Sequence, residues 1–127
     1  MRLLRYGGLW SIIGYGFWAV CERDTGRFVG EVGLADFHRE VDWGDDPECG
    51  WVMAPAVHGR GYATEAVMAA LDWRDRHLPG TRTVCMINDA NVASLRVAGK
   101  CGFGFFRDAD YHGPVKLFER IGPRAQP

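Results

Sequence analysis

The chain has 127 residues, of which 47% are apolar and 24% are charged, and its formal net charge at pH 7 is −1. This length and apolar content predict one domain, residues 1–127, with a single packed core. The small net charge excludes recognition by bulk charge, so we expect neither nucleic acid nor an anionic membrane as a partner. No apolar run reaches the roughly 18 residues of a membrane-spanning helix and no signal-peptide pattern is present, so the expected location is the cytoplasm.

The first half of the chain predicts a short helix followed by three strands. Apolar residues between positions 3 and 13 recur at helical spacing, whereas Phe17–Glu22 and Phe28–Leu34 are strand-like runs. The two runs flank a turn at residues 23–26 and should therefore pair antiparallel. The third predicted strand, Glu48–Met53, ends before a proline, which cannot donate a hydrogen bond to a sheet ladder.

The second half predicts two helices that alternate with strands. The first helix covers residues 64–77, with the aliphatic stem of Arg74 on its apolar face and Asp75 in water. A good N-cap residue and a glycine stop bound the second helix. The elements that follow the first helix are a strand, the capped helix and a closing hairpin, over Thr83–Ile87, Asn91–Lys100, Phe103–Phe106 and Val115–Phe118.

The cysteines stand singly in the sequence, most of them within or beside apolar runs. Their spacing lacks the close pairs of a zinc site or a redox motif, and the histidines are scattered, so we expect no bound metal. The residues predicted to be reduced members of the core are Cys21, Cys49, Cys85 and Cys101.

The segment between the third strand and the long helix, Pro55–Thr64, carries two closely spaced glycines. Gly59 and Gly61 allow several backbone N–H groups to converge in a concave nest, and the helix behind them adds the positive end of its dipole. The predicted ligand is therefore a phosphorylated cofactor. The spacing fits neither a P-loop, which ends in Gly-Lys-Ser/Thr, nor the Gly-x-Gly-x-x-Gly turn of Rossmann domains.

The six residues from His58 to Ala63 resemble the Gln/Arg-x-x-Gly-x-Gly/Ala motif of the GNAT acetyltransferases, with His58 at the position of Gln or Arg. In that family, successive loop amides hold the pyrophosphate of acetyl-CoA. A second segment, Asn88–Ser94 followed by Lys100 and Phe103, resembles the Asn-x-x-Asn-x-x-Ser…Lys-x-Gly-Phe pattern of the branch that includes the ribosomal-protein N-terminal acetyltransferases. The resemblance extends from about residue 16 to residue 120.

The resemblance implies an α+β fold in which helices flank a mixed, mostly antiparallel sheet. It also implies acetyl-CoA as the cosubstrate and an amine as the acceptor. The residues that it places against the cofactor are Trp51, Val52 and Met53 on the third strand, His58, Gly59, Arg60, Gly61, Tyr62, Ala63 and Thr64 in the loop, and Asn88, Asn91 and Ser94 beyond it. For the two asparagines, the alternative role is turn chemistry after a strand.

Acetyl transfer needs a deprotonated amine, a polarised thioester carbonyl and a proton for the departing thiolate. Glu48 matches the Glu of the Glu-x-Gly-Tyr/Trp pattern in similar enzymes and is the candidate base, because amines with a pKa of about 8 to 10 must lose a proton. Backbone N–H groups of residues 51–53 would hold the carbonyl oxygen. Ser94 is the candidate donor to the thiolate, and Tyr111 is a further one. The alternatives are a solvated strand-end carboxylate for Glu48, a helix cap for Ser94 and a surface aromatic of a turn for Tyr111.

GNAT domains of this branch normally carry one more strand and helix ahead of the segment that begins here at Met1. Three explanations are open: an N-terminally shortened domain, a second copy that covers the exposed sheet edge, or an incorrect start. Because an uncovered edge promotes association, we expect a homodimer.

Three functions are open at this stage. The favoured one is an acetyl-CoA-dependent N-acetyltransferase that acts on a protein N-terminus or a small amine, without a metal and without a covalent acyl-enzyme. The others are a non-catalytic acyl-CoA-binding module and a truncated relic with neither activity nor ligand.

Overall fold

The computed structural model describes residues 2–5, 16–35, 41 and 43–123 of the chain. In this part, one sheet is built from β1 (Arg2–Arg5), β2 (Phe17–Cys21), β3 (Phe28–Ala35), β4 (Glu48–Met53), β5 (Arg82–Asn88), β6 (Gly104–Asp110) and β7 (Pro114–Ile121). The helices are α1 (Tyr62–His77), α2 (Val92–Lys100) and a short 3-10 helix, η1 (Pro55–Val57), which precedes α1. The strand order is β1-β2-β3-β4-β5-β7-β6, and only β4 and β5 are parallel neighbours. The predicted α+β fold with a mostly antiparallel mixed sheet is confirmed.

Most predicted elements are present with boundaries that differ by a few residues. The N-terminal helix is the exception, because Arg2–Arg5 pair antiparallel with β2 as an edge strand. Cross-strand hydrogen bonds to β2 outweigh the local helical spacing, which is a weak signal in a short segment. The rest of that predicted helix, over residues 6–13, lies outside the described residues. β1 and β6 form the two edges of the sheet, where a second copy of the chain could pair. The homodimer stays a prediction.

The sheet consists of two halves that meet at one point. β4 pairs with β3 along its whole length, and β5 pairs with β7 along its whole length. Between β4 and β5, the described pairing is confined to Glu48 and Val84. Both strands run in the same direction, so the halves meet near the N-terminal end of β4 and separate toward the C-terminal ends of the two strands.

Apolar side chains cover both faces of the sheet. The larger cluster packs the helices against the sheet and includes Val32, Leu34, Val67, Leu71 and Phe118. The smaller cluster, on the β5–β7 side, is formed by Trp43, Val84, Val115 and Leu117. All four cysteines are buried and unbridged, as predicted, and burial raises the pKa of the Cys49 and Cys85 thiols.

Arg74 is completely buried at the end of α1, where its guanidinium fixes the connection to β5. Its Nε donates to Thr83 Oγ1 at 2.8 Å, and its Nη2 donates to the carbonyl oxygen of Arg82 at 2.9 Å. Its Nη1 donates to the carbonyl oxygens of Leu78 and Gly80 at 3.3 and 3.1 Å. The sequence predicted that the aliphatic stem would reach the core, whereas the whole side chain lies there and its guanidinium donates to three part-buried carbonyls.

Asp75 was predicted to face water, and this prediction is wrong. Arg120 donates to both of its carboxylate oxygens, at 3.1 and 2.9 Å, and the Asp75 side chain is only 14% exposed. This bidentate pair joins α1 to β7. Asp72, one turn earlier, is exposed and pairs with Arg76 at 2.7 Å, as the sequence pattern predicts for a solvated helix face.

Two kinds of feature are absent from the described residues. None of their His, Cys, Asp and Glu side chains form a group of three that could hold a metal ion. Neither α1 nor α2 combines the length and the apolar character needed to cross a bilayer.

We expect Arg74→Met to lower the free energy of unfolding by about 2 to 4 kcal/mol, because it keeps a long apolar stem but leaves the buried Thr83 hydroxyl and three part-buried carbonyls without this donor. Urea unfolding followed by circular dichroism measures this loss. The matched control is Arg76→Met on the same helix, where an exposed pair should contribute about 0.5 kcal/mol or less. Equal losses in the two variants would contradict the role assigned to the buried guanidinium.

Candidate active site

The inner edge of β4 presents backbone groups to the space between the two halves of the sheet. Ala54 N donates to β3 at 2.7 Å, whereas Pro47 accepts from Val84 N of β5 at 3.0 Å. Backbone groups along a strand point alternately to its two sides, so odd-numbered residues of β4 direct their N–H and C=O groups toward β5. Beyond the single bridge, Trp51 and Met53 therefore direct their main-chain groups into the gap.

A loop with two left-handed residues connects η1 to α1. Gly59 and Gly61 have φ angles of 82° and 79°, which residues with a side chain rarely adopt. A Cβ at either position would have no atom within 4 Å. Gly61 is the N-cap of α1, whose first N–H groups have no acceptor within the helix. His58 joins this loop to β4, since its Nε2 donates to the carbonyl oxygen of Met53 at 3.0 Å. Left-handed glycines immediately before a helix N-terminus are common in anion-binding loops.

The carboxylate of Glu22, which follows β2, contacts the two residues that flank Gly61. Tyr62 Oη donates to Glu22 Oε2 at 2.7 Å, and Arg60 Nη1 lies 3.8 Å from that oxygen. The hydrogen bond from Tyr62 lowers the pKa of Glu22, and the same bond raises the pKa of Tyr62. Tyr62 is thus held as a neutral hydrogen-bond donor.

A volume of about 390 Å³ between the glycine loop and α2 forms what we call the loop cavity. The predicted cofactor residues that line it are Trp51, Val52, Met53, His58, Gly59, Gly61, Tyr62, Ala63, Thr64, Asn91 and Ser94. Arg60 is not among the lining residues, because its guanidinium lies beside Glu22. Arg96 and Lys100 of α2 also line this cavity, although the predicted site did not include them. Their i,i+4 spacing on one helical face was the signal that could have identified them.

A second volume of about 340 Å³ opens between β4 and β5, and we call it the strand cavity. Of the predicted residues, Glu48 and Asn88 line only this cavity. The other lining residues are Phe17, Glu31, Cys49, Gly50, Trp51, Val52, Met86, Ile87, Asn91 and Ser94. The two cavities share Trp51, Val52, Asn91 and Ser94, so they meet where the backbone of β4 is open.

The two predicted catalytic residues both lie on the walls of these cavities. Glu48 is 5% exposed, which does not fit the alternative of a solvated carboxylate at a strand end. Ser94 lies on the shared wall, and its backbone N–H donates to Asn91 Oδ1 at 3.1 Å. The cap of α2 therefore uses the amide of Ser94 and the side chain of Asn91, so its geometry does not require the Ser94 hydroxyl.

The asparagines and Tyr111 have identifiable structural contacts. Asn88 Oδ1 accepts from Ala90 N at 2.8 Å, which is the turn chemistry expected after a strand. Asn88 and Asn91 nevertheless line the cavities, so a structural role and a ligand contact are compatible. Tyr111 is not among the lining residues of either cavity and packs beside the cluster that contains Trp43.

The family model described as "Acetyltransferase (GNAT) domain" matches residues 3–104 of the chain. The uncharacterized protein YkkB of Bacillus subtilis is 30% identical over 110 residues, which are 84% of this chain. The chain spans 63% of the length of YkkB, so it corresponds to less than two thirds of that relative.

Solved structures show the same fold. A protein of Bordetella pertussis assigned to the GnaT family of acetyltransferases has 34% identity and a TM-score of 0.79 over 90% of this chain and 70% of its own. The ribosomal-protein-S5-alanine acetyltransferase of Vibrio fischeri has 18% identity and a TM-score of 0.75 over 89% of this chain and 64% of its own. The yncA protein of Salmonella typhimurium, assigned as an acetyltransferase and solved with its cofactor acetyl-CoA, has 20% identity and a TM-score of 0.75 over 92% of this chain and 70% of its own. The family match and the split sheet with its glycine loop confirm the predicted resemblance: the chain belongs to the GNAT acetyltransferase family.

Proposed function

We propose that the protein is an N-acetyltransferase that transfers the acetyl group of acetyl-CoA to a primary amine of a small molecule or a protein N-terminus. The observation that carries this proposal is the meeting of the loop cavity and the strand cavity at the open backbone of β4. A cofactor in one cavity and an acceptor in the other would form a ternary complex, in which the amine attacks the thioester directly. Holding two reactants in this way supplies a large part of the catalysis of a bimolecular reaction.

The loop cavity suits the phosphate-bearing end of acetyl-CoA. Gly59, Gly61 and the first turn of α1 supply backbone N–H groups, and the helix dipole favours an anion there. Arg96 and Lys100 add positive charge on the opposite wall. The presence of acetyl-CoA in the related yncA structure supports the same ligand for this chain.

The open edge of β4 suits the rest of the cofactor. The main-chain groups of Trp51 and Met53 face the gap, so an extended ligand with amides could pair with β4 in place of a neighbouring strand. A Trp51 or Met53 N–H that donates to the thioester oxygen would stabilise the negative charge that develops during attack. Only the N–H groups can stabilise that oxygen, because a carbonyl cannot donate a hydrogen bond. The Met53 carbonyl accepts from His58 instead.

Two side chains are assigned to proton transfer. Glu48 would accept the proton of the attacking ammonium, directly or through water, because its carboxylate lines the strand cavity. Ser94, on the shared wall, would donate a proton to the departing CoA thiolate and be reprotonated from solvent. The acetyl group passes from sulfur to nitrogen in one displacement, without an acyl-enzyme.

Gly61→Glu should weaken acetyl-CoA binding about tenfold or more, because it places a carboxylate in the anion nest. Isothermal titration calorimetry with acetyl-CoA measures the dissociation constant. The control is Gly113→Glu in the β6–β7 turn, which also replaces a left-handed glycine with open space around it. Similar binding by the wild type and both variants would place the cofactor elsewhere. If the folded wild-type chain binds no acetyl-CoA, the truncated relic is the better description.

Glu48→Gln should lower kcat about a hundredfold, and Ser94→Ala should lower it by a smaller factor, because general acid–base catalysis typically contributes 10² to 10⁴. The dissociation constant of acetyl-CoA should stay within severalfold in both variants. Steady-state acetylation of an amine panel, together with the pH profile of kcat/KM, measures these effects, and circular dichroism checks that each variant is folded. Unchanged turnover would remove that residue from the mechanism. Tight cofactor binding without acetylation of any amine would favour the non-catalytic binding module.

A further inference from the structure

The strand cavity has a carboxylate near each end of one sheet face. On β3 and β4, Glu31 lies opposite Val52 and Glu48 lies opposite Ala35. Cross-strand partners share a face of the sheet, so both carboxylates lie on the face that the cavity covers. Val52, the partner of Glu31, lies four positions after Glu48 on β4, so the two glutamates are about 13 Å apart in the strand direction.

An apolar floor lies between the two carboxylates. Gly33 and Gly50 are cross-strand partners halfway between them, and Phe17 pairs with Gly33 from β2. The Phe17 ring lies directly on these glycines, since a Cβ at Gly33 would be 2.5 Å from Phe17 Cδ1 and a Cβ at Gly50 would be 3.9 Å from Cε1. The ring lines the cavity, so a ligand that extends along the cavity meets an aromatic surface between two negative charges.

Among the described residues, the charged side chains that line the two cavities have opposite signs. Arg96 and Lys100 line the loop cavity, whereas Glu31 and Glu48 line the strand cavity. Opposite charges on the two sides of a shared wall favour an anionic ligand on one side and a cationic ligand on the other. An aromatic face adds attraction for an ammonium group or for the methylene groups next to it.

We propose that the preferred acceptor is a linear amine with a second cationic group, in which Glu31 holds the distal charge and the aliphatic spacer lies along Phe17. This inference rests on the proposed function and narrows its acceptor class. The reacting ammonium lies on the side of Glu48, which takes its proton, while Glu31 contacts only the group that does not react. Glu31 is thus a specificity-determining residue that acts mainly on acceptor binding.

The test compares α,ω-diamines of increasing chain length with amino alcohols of the same length, at saturating acetyl-CoA. The amino alcohols keep the reacting amine and replace the distal charge with a neutral hydroxyl. For the best chain length, the wild type should show a kcat/KM about tenfold higher for the diamine than for the amino alcohol. Glu31→Gln should remove most of this preference by raising the KM of the diamine, with little change in its kcat, in the amino alcohol kinetics and in the KM of acetyl-CoA.

Asp108→Asn is the matched control, because Asp108 is an exposed carboxylate on β6 that pairs with Lys116. It should leave the diamine preference intact. Equal use of diamines and amino alcohols by the wild type, or a parallel loss for both in Glu31→Gln, would overturn this inference while acetyl transfer itself stands. A chain that binds acetyl-CoA but acetylates no amine would instead contradict the proposed function.

Discussion

The parallel strands β4 and β5 pair at Glu48 and Val84 and then diverge, and the site is built around that divergence. Each strand is fully paired on its outer side, β4 with β3 and β5 with β7, so each follows its own half of the sheet. The inner backbone groups beyond the bridge need other partners, because peptide groups are rarely left unpaired away from water. The fold thus supplies a row of main-chain donors and acceptors that a ligand or solvent must satisfy.

The Arg82 side chain stabilises the closed end of this divergence. Arg82 on β5 donates to the carbonyl oxygen of Trp43 at 2.6 Å and to Asp46 Oδ2 at 3.1 Å, and its Nε donates to Glu119 Oε1 at 2.8 Å. It therefore ties the segment before β4 to β5 and β7. Partial burial alone would lower the pKa of Arg82, but the bonds to Glu119 and Asp46 outweigh it and raise that pKa. Polar contacts thus stabilise the closed end, whereas the glycine loop and α2 line the open end.

Local signals in the sequence predicted most of the fold. The turn at residues 23–26, the Asn91 cap and the glycine loop each depend on residues close in the chain, and the structure has all three features. The edge strand Arg2–Arg5 could not be predicted in this way, because its conformation depends on pairing with β2. The full burial of Arg74 likewise depends on carbonyls that only the folded α1–β5 connection brings together.

The same distinction between local signals and strand pairing applies to the candidate site. The residues of the glycine loop and of the β5–α2 turn were identified because they form contiguous motifs. Phe17 and Glu31 were missed as cavity residues, because their place depends on the register of β2, β3 and β4. Gly33 and Gly50 become meaningful only when that register makes them partners beneath an aromatic ring. The lining of the strand cavity thus depends on strand pairing, which a single sequence does not show.

The hydrogen bond from His58 Nε2 to the Met53 carbonyl restricts which residues can take the place of His58. A carbonyl only accepts, so the bond requires a proton on Nε2. Glutamine can also donate to a carbonyl at such a position, whereas an aliphatic residue cannot. The link between the glycine loop and β4 therefore depends on the presence of a hydrogen-bond donor at position 58.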